Sequence, residues 1–344
     1  MDTKILQRFR ENLLQQRLNL RDWLDNTSAK KKQMRLGPAD EQAANAHLQV
    51  IDTALAKTEN QTLGLCRVCN DYVETDRLEM DFTACVCIDH YSAEQRRQLE
   101  SELELSHKLQ KALLPQEAPN IPGLQIRAFS QPAEIVGGDY FDFFRFRDQT
   151  HGFAIADVMG KGLPASMLMA SLQASLRILV PENDSPAAVV QRLNNLFCHN
   201  IQLIKFITLF LGSYDPATRV LKYCNAGHNP PLLFRRDEHS AKRIQWLQPT
   251  GAAIGLAESF TFRMETVTLL PGDVLVLYTD GVTEAMNSAR EEFGENRLAD
   301  FTQQQAARSP KDFMKELRLA LNEFAGEQAH HDDVTIVVGK VELN

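Results

Sequence analysis

Four apolar segments of the sequence end or begin at aspartates that lie beside glycine or other turn residues. The run VLVLY, for example, is followed closely by Asp280 and Gly281. A single Asp-Gly pair after a strand is typical of a turn. The aspartates placed in this way are Asp139, Asp157, Asp280, Asp332 and Asp333. Four such segments in one chain predict that the carboxylates meet in one cluster.

A cluster of carboxylates repels itself unless cations lie among the side chains. Carboxylate, carbonyl and water oxygens suit Mg²⁺ or Mn²⁺. Two such ions about 3.5 to 4 Å apart can share a water, lower its pKa and direct it at phosphorus. Glycines near the aspartates agree with this interpretation, because close approach of backbone to ions tolerates little side-chain bulk. The pattern therefore predicts a two-metal site that hydrolyses phosphomonoesters.

A second group of possible ligands lies in the segment LGLCRVCNDYVETDRLEMDFTACVCIDHY. A tetrahedral zinc ion takes four ligands, typically as two close pairs. The first pair is Cys66 and Cys69, and Cys87 with His90 repeats the same spacing. We predict one Zn²⁺ on these four residues, with Cys85 as a spare thiol. The alternative second pair, in which Cys85 replaces His90, stays open.

Composition limits the classes of function. The chain has 344 residues, is 44% hydrophobic and carries a formal net charge of -8, with a pI near 5.6. An acidic surface does not attract nucleic acid or anionic lipid, so we expect neither a direct nucleic-acid partner nor a membrane partner. The apolar runs fall short of a membrane span, and the charged first residues do not fit a signal peptide. We therefore expect a cytoplasmic protein.

Changes in periodicity divide the chain into four parts. Residues 1–60 carry apolar residues at helical spacing on either side of a basic break, which predicts a helical hairpin. Residues 61–91 hold the cysteines, and residues 92–118 predict a linker helix with a leucine stripe ended by prolines. That stripe packs on the same chain or forms a dimeric coiled coil. Residues 119–344 mix short strands with helices and form the largest domain.

The segment ALAKTENQTLGLCRVCNDYVETDRLEMDFTACVCIDHY resembles the DksA/TraR zinc-finger family. In that family a helical hairpin precedes the finger. Members that enter the RNA polymerase channel present acidic residues at the hairpin tip, whereas the bend here carries Lys30, Lys31 and Lys32. We therefore interpret the finger as a structural and regulatory module. A transcription regulator that contacts RNA polymerase through finger and hairpin is an alternative.

Residues 99–342 resemble the PPM phosphatases (protein phosphatase 2C type), specifically their bacterial SpoIIE/RsbU-like branch. The resemblance rests on LELSHKLQKALLP, PAEIVGGDYFDFF, ADVMGKGLPASMLMA, CNAGHNPPLL, PTGAAIGL, LLPGDVLVLYTDGVTEA and DDVTIVV, in this order. It implies an α+β fold in which a sandwich of two antiparallel β-sheets is flanked by helices (αββα). The strand and helix pattern of residues 119–344 agrees with that fold.

The resemblance also implies roles for the aspartates. Asp157 bridges two Mn²⁺ or Mg²⁺ ions, and the carbonyl of Val158 joins one of them. Asp280 and Asp332 ligate the other ion. Asp139 completes the cluster directly or through water.

Two further residues follow from the same resemblance. Asp333 stands where many relatives have asparagine, so it either orients Asp332 or exchanges with it as a metal ligand. Lys161 stands where eukaryotic relatives carry a histidine proposed to protonate the leaving oxygen. We expect Lys161 to contact the phosphate or the leaving group.

These expectations combine into a metal-dependent protein serine/threonine phosphatase that uses a two-metal-activated water. The branch implies a phosphoserine or phosphothreonine substrate on an anti-sigma-factor antagonist, within a partner-switching signalling pathway. It also implies a homodimer through the linker helix, and we expect the zinc-finger region to regulate the enzyme. A hydrolase of a small phosphoester, or a transcription regulator, is the alternative.

Overall fold

The structure is a computed structural model that describes residues 3–26, 40–200, 206–236, 243–326 and 332–343. The chain divides into two compact units, Met1–Ser101 and Glu102–Asn344. The boundary between the units falls inside one long helix, Ala93–Leu113. The basic bend expected at residues 30–32 lies outside the described residues.

The first unit begins with two long helices, α1 (Thr3–Asn26) and α2 (Asp40–Glu59). Apolar residues recur three or four positions apart in both helices, which puts them on one face. Phe9 of α1 packs with Ile51 and Leu55 of α2 in one buried cluster. The helices expected within residues 1–60 are therefore present.

The cysteine segment follows α2 and contains two short elements, α3 (Thr75–Met80) and a 3₁₀ turn at Ile88–His90. Its buried residues join the cluster formed by α1 and α2. They are Leu63, Cys66, Val73, Leu78, Ala84 and Cys87. Within the described residues of the first unit, the cysteine segment therefore buries only these few apolar side chains.

The long helix that follows, α4 (Ala93–Leu113), starts at a capping box. The backbone N–H of Gln95 donates to the Ser92 hydroxyl, and the backbone N–H of Ser92 donates to the Gln95 side chain. The leucines of the expected stripe do not share one environment. Leu109 is 60% exposed, whereas Leu114, just after the helix, packs against the core of the second unit.

The second unit contains two five-stranded antiparallel sheets. The strands are β1 (Leu124–Gln131), β2 (Tyr140–Arg145), β3 (His151–Val158), β4 (Ile207–Asp215), β5 (Val220–Ala226), β6 (Leu232–Phe234), β7 (Ile244–Trp246), β8 (Glu265–Thr268), β9 (Val274–Tyr278) and β10 (Val334–Val341). One sheet has the order β1-β10-β9-β6-β7, and the other has the order β2-β3-β4-β5-β8. The first strand of the unit thus pairs with the last.

Helices cover the outer faces of both sheets. They are α5 (Gly162–Leu179), α6 (Pro186–Asn200), α7 (Asp280–Thr283), α8 (Gly294–Gln305) and α9 (Pro310–Ala325). Met169 of α5 and Leu193 of α6 pack on the sheet that contains β3. Leu298 of α8 and Leu317 of α9 pack on the sheet that contains β10.

Central strands are buried on both faces, which explains their continuous apolar runs. In β3, Phe153 and Ile155 point into the core between the sheets, while Ala154 and Ala156 face the helices α5 and α6. The same alternation in β10 places Val337 between the sheets. Two packed sheets with helices on both outer faces confirm the predicted αββα sandwich.

One helix in the described part of the chain, Gly162–Glu182, is long and apolar enough to cross a membrane by length and composition alone. No such run was expected from the sequence. Core helices of globular proteins pass the same test, so it is weak evidence for a span. Ala165, Met169, Leu172 and Leu176 of this helix are buried against the sheet.

An ion pair between the buried carboxylate of Asp142 and the half-exposed guanidinium of Arg177 joins β2 to α5. Asp142 is fully buried and accepts hydrogen bonds from the Arg177 guanidinium at 2.8 and 2.6 Å and from the Tyr140 hydroxyl at 2.6 Å. Arg177→Leu leaves this carboxylate without its cation, so we expect a loss of about 3 kcal/mol of unfolding free energy. Urea unfolding measures it. Arg192→Leu, which removes an exposed pair with Glu182, is the control and costs less than about 1 kcal/mol; equal losses would contradict the prediction.

Candidate active site

All five predicted aspartates lie at one end of the sandwich. Asp157 is the next-to-last residue of β3, and Asp280 begins α7 just after β9. Asp139 immediately precedes β2, and Asp332 and Asp333 precede β10. Antiparallel pairing brings these ends together, because Tyr140 lies opposite Ala156, and Tyr278 lies opposite Ile336. Pairing within each sheet thus forms one half of the cluster, and the two halves are joined by the hydrogen bonds from Gly138 to Asp333 and from Thr279 to Asp139.

The carboxylates raise one another's pKa. Burial raises the pKa of Asp157 to about 7, and the charges of Asp280, Asp332 and Asp333 contribute to the rise. Burial, with Asp157 and Asp333 nearby, raises the pKa of Asp139 well above its ordinary value. Burial and then Asp332 raise the pKa of Asp280. Without a cation, burial and mutual repulsion therefore disfavour the charged forms of these carboxyl groups. A bound cation would remove this cost, and the oxygen-only donor set fits hard divalent cations.

Both carboxylate oxygens of Asp333 accept hydrogen bonds from backbone N–H groups. One of its carboxylate oxygens accepts the N–H of Ala133 at 2.8 Å, and the other accepts the N–H of Gly138 at 2.7 Å. Asp332 differs, since it is partly exposed and one of its oxygens lies 3.0 Å from the Lys161 ammonium. The geometry separates the two neighbours: Asp333 holds the segment before Asp139, and Asp332 faces the open side of the cluster.

Thr279 orients Asp139, although it was not among the residues predicted from the sequence. Its buried hydroxyl donates to Asp139 at 2.7 Å and accepts the N–H of Thr335 at 3.0 Å. Its own N–H donates to the carbonyl of Thr335 at 3.0 Å. The only signal in the sequence is the hydroxyl residue in YTDG, immediately before Asp280. Glu284, one turn after Asp280, was also missed and adds negative charge near Asp157.

Two of the glycines are required by close approach of backbone. A Cβ at Gly281 would lie 2.1 Å from the carbonyl oxygen of Asp333. A Cβ at Gly138 would lie 2.6 Å from the carbonyl oxygen of Val158, the predicted backbone ligand. Real Cβ atoms do not approach oxygen this closely, so any larger residue would displace the segments that carry the carboxylates.

His228 lies near this end of the sandwich but is unsuited to donate a proton near neutral pH. It is buried, and its Nδ1 lies 2.8 Å from the Thr208 hydroxyl, while its backbone N–H donates to Asn225. Burial lowers the pKa of its imidazole to about 3. The ring is therefore neutral, and the hydrogen bond from its backbone to Asn225 places His228 in the turn after β5.

The first unit contains the other predicted group of ligands. The ligand atoms of Cys66, Cys69, Cys87 and His90 all lie within 4.8 Å of one another. The Sγ atom of Cys87 is 3.6 Å from that of Cys66 and 3.8 Å from that of Cys69. Tetrahedral Zn–S bonds of about 2.3 Å put sulfurs about 3.8 Å apart, so the spacing fits zinc. Cys85 is not part of this group.

The thiol environment also favours a metal. Backbone N–H groups, first that of Cys69 and then that of Cys87, lower the pKa of Cys66 to about 6. A thiolate is the form of cysteine that binds zinc. Burial and the neighbouring thiols raise the pKa of Cys87 to about 12. A bound cation would relieve this repulsion among the sulfurs.

Comparison with known proteins agrees with the architecture. The family described as Stage II sporulation protein E (SpoIIE) matches residues 147–342. The phosphoserine phosphatase RsbU of Bacillus subtilis (strain 168) is 28% identical over 270 residues, which cover 75% of this chain and 78% of RsbU. Protein IcfG of Synechocystis sp. is 31% identical over 226 residues, covering 58% of this chain and 35% of IcfG.

A solved structure supports the fold. The SiaA-PP2C domain of Pseudomonas aeruginosa superposes with a TM-score of 0.64 at 21% identity, covering 74% of this chain and all of that domain. At this identity the likeness concerns the fold alone. The SpoIIE family match spans more than half of the chain and includes Asp157, Asp280 and Asp332. The chain therefore belongs to the SpoIIE family.

Proposed function

We propose that this protein is a metal-dependent phosphoserine and phosphothreonine phosphatase. The observation that carries the proposal is the cluster of aspartates whose pKa values rise through burial and mutual repulsion. The similarity to RsbU, a phosphoserine phosphatase, supports the same reaction and substrate class. The chain is an enzyme of the phosphoric monoester hydrolase type.

The residues that would hold two Mn²⁺ or Mg²⁺ ions are the carboxylates with oxygens directed into the cluster. Asp157 lies at its centre, with the Val158 carbonyl beside it and Asp139, Asp280 and Asp332 around it. We assign Asp333 to positioning, because both of its oxygens accept backbone N–H groups. When bound, the ions supply positive charge that polarises the phosphate ester and lowers the pKa of water.

The protein's own groups then bind and orient the substrate. Lys161 lies at the start of α5 on the open side of the cluster, within 3.0 Å of Asp332. Partial burial lowers the pKa of its ammonium, but the hydrogen bond to Asp332 and the nearby carboxylates outweigh this and raise it. Lys161 therefore stays charged near neutral pH. Its role is to attract the phosphate, and its high pKa makes it a poor proton donor.

The substrate we propose is a phosphoserine or phosphothreonine of an anti-sigma-factor antagonist, as the resemblance to the SpoIIE/RsbU-like branch implies. The open, partly exposed side of the cluster at Asp332 and Lys161 supports access by a side chain that projects from a protein surface.

The test is phosphate release by the full chain with Mn²⁺ from three substrates. They are a serine-phosphorylated antagonist, free phosphoserine and an aryl phosphate. We expect the highest kcat/KM on the phosphoprotein, because remote contacts supply binding energy that is used at the reacting centre. Equal values on all three would favour the small-ester hydrolase, and absence of Mn²⁺-dependent release from any of them would overturn the phosphatase proposal.

For the first unit we propose a DksA/TraR-like zinc finger at residues 61–91 that follows the helical hairpin of residues 1–60 and regulates the phosphatase domain, residues 119–344. The linker, residues 92–118, would form the homodimer. The close group of three thiols and one imidazole supports the zinc ion. The exposed Leu105 and Leu109 of α4 support a helix that packs against a second copy.

Thr279 provides a test of the metal-site geometry. Thr279→Val keeps the shape of the side chain but removes the hydroxyl that donates to Asp139 and accepts from Thr335. We expect the half-saturating Mn²⁺ concentration to rise roughly 10- to 100-fold, as for other residues that orient metal ligands. Thr279→Ser keeps the hydroxyl and should stay near wild type. Identical Mn²⁺ titrations of the two variants would contradict the prediction.

A further inference from the structure

The segment between β1 and β2, residues 132–138, leads into Asp139 but forms neither helix nor strand. Contacts from other elements must therefore fix its conformation. On one side the Asp333 carboxylate binds the N–H groups of Ala133 and Gly138. Gly137 lies between these two residues and is buried, and its own N–H and carbonyl groups need another partner.

Gln110 of α4 binds both of those groups. Its side-chain oxygen accepts the N–H of Gly137 at 3.0 Å, and its side-chain nitrogen donates to the Gly137 carbonyl at 2.6 Å. The primary amide thus pairs with the backbone as a neighbouring strand would. One turn earlier, His107 Nδ1 donates to the carbonyl of Ile135 at 2.7 Å. The last turns of α4 therefore hold the segment at two points.

This contact borders a cavity. The cavity, of about 260 Å³, lies among α4, the end of β1 and the segment, and its lining includes Gln110, Gly137, Asp139 and Asp333. A buried N–H and C=O that lose their partner must be left unsatisfied or recruit water through such a cavity. Either outcome permits the segment to move, and Asp139 moves with it because it follows Gly137 by two residues.

We infer that Gln110 is a positioning residue of the phosphatase site, which holds Asp139 in place through the backbone of Gly137. The inference rests on the proposed function for its catalytic meaning, but the contact itself can be tested without turnover. Asp333 and Gln110 bind different backbone groups of the segment. Gln110 is the one that belongs to the helix shared by the two units.

The experiment compares the full-length wild type with Gln110→Ala and Gln110→Glu. The alanine variant loses both hydrogen bonds, whereas glutamate can still accept the Gly137 N–H but cannot donate to its carbonyl. Lys108→Ala, an exposed residue of the same helix that pairs with Glu104, is the matched control. Three quantities are measured: Mn²⁺ affinity by calorimetry, hydrogen exchange of residues 133–141 in metal-free protein, and the Mn²⁺ dependence of aryl phosphate hydrolysis.

We expect Gln110→Ala to weaken Mn²⁺ binding roughly 10- to 100-fold and to speed exchange in residues 133–141. Its kcat at saturating Mn²⁺ should stay near that of the wild type, since bound metal restores Asp139. Gln110→Glu should change in the same direction, and Lys108→Ala should not change. If Mn²⁺ affinity and exchange in both Gln110 variants equal the wild-type values, the inference is overturned. If the wild type binds Mn²⁺ but hydrolyses no ester, the proposed function fails while binding and exchange still decide the role of Gln110.

Discussion

Asp157→Asn is expected to lower Mn²⁺-dependent phosphate release by about a thousandfold, equivalent to roughly 4 kcal/mol of barrier. Asp157 lies at the centre of the cluster, where burial and then the charges of Asp280, Asp332 and Asp333 raise its pKa. An amide is a weaker ligand than a carboxylate and carries no charge. Steady-state release from a phosphoserine protein, with Mn²⁺ and with a chelator, measures the effect.

The matched control is Asp300→Asn, because Asp300 is an exposed aspartate of α8. It should retain wild-type kcat and Mn²⁺ dependence. Comparable losses of phosphate release in the two variants would contradict the assignment of Asp157 to the metal site. Full activity of the Asp157→Asn enzyme would contradict it as well.

Asp157→Asn should also stabilise the metal-free protein, and the gain in unfolding free energy should depend on pH. The pKa of Asp157 is about 7 in the folded chain, against 3.8 for an ordinary aspartate. A carboxyl whose folded pKa is raised contributes stability below its unfolded pKa, and this stability is lost as pH rises through the folded pKa. Asparagine mimics the neutral form, so the gain grows between about pH 4 and pH 7 and reaches up to about 4 kcal/mol. Thermal unfolding in chelator at pH 5 and pH 8 measures it, and a gain that shrinks toward pH 8 would contradict burial and charge repulsion as the cause.

Cys87→Ser is expected to abolish zinc binding and to unfold the segment around residues 61–91. The segment buries few apolar side chains of its own, and a structural zinc ion supplies about 10 kcal/mol or more of folding free energy in small fingers. Cys87 lies close to all three other ligand groups. Its Sγ atom is 3.6 Å from the Sγ atom of Cys66, 3.8 Å from that of Cys69 and 2.8 Å from His90 Nδ1. Zinc content by mass spectrometry of the native protein and limited proteolysis measure the two effects.

Cys85→Ser is the control, because Cys85 lies two residues away and outside the group of ligands. It should keep one zinc ion per chain and wild-type resistance to protease. If the Cys85 variant lost zinc and the Cys87 variant kept it, Cys85 and not Cys87 would be the zinc ligand.

Residues whose role depends on one strand and its end could be predicted from sequence. Asp157 and Asp280 each follow an apolar run, and the αββα fold follows from the order of such runs together with the resemblance to a known family. The spacing of Cys66, Cys69, Cys87 and His90 is likewise local, and these four residues do meet in the structure. Short-range patterns thus carried most of the fold and the candidate ligands.

Residues that act across the fold could not be predicted. Thr279 reaches Asp139 across 140 positions of sequence, and Gln110 reaches Gly137 from a helix that looked like a linker with a leucine stripe. The different environments of Asp332 and Asp333 also depend on tertiary contacts, because adjacent residues of one type look alike in a sequence. Helical periodicity likewise did not separate the exposed Leu109 from Leu114.

The pairing of β1 with β10 determines when the site can form during synthesis on the ribosome. Ala133 and Asp333, which bind each other in the site, are 200 residues apart. At about 5–20 residues per second, the ribosome needs on the order of ten seconds or more to make that stretch. During this time β1 has no partner strand and the segment before Asp139 has no carboxylate to hold it. We therefore expect the nascent chain to be inactive until β10 is released, and a message truncated before β10 to yield protein without a complete site.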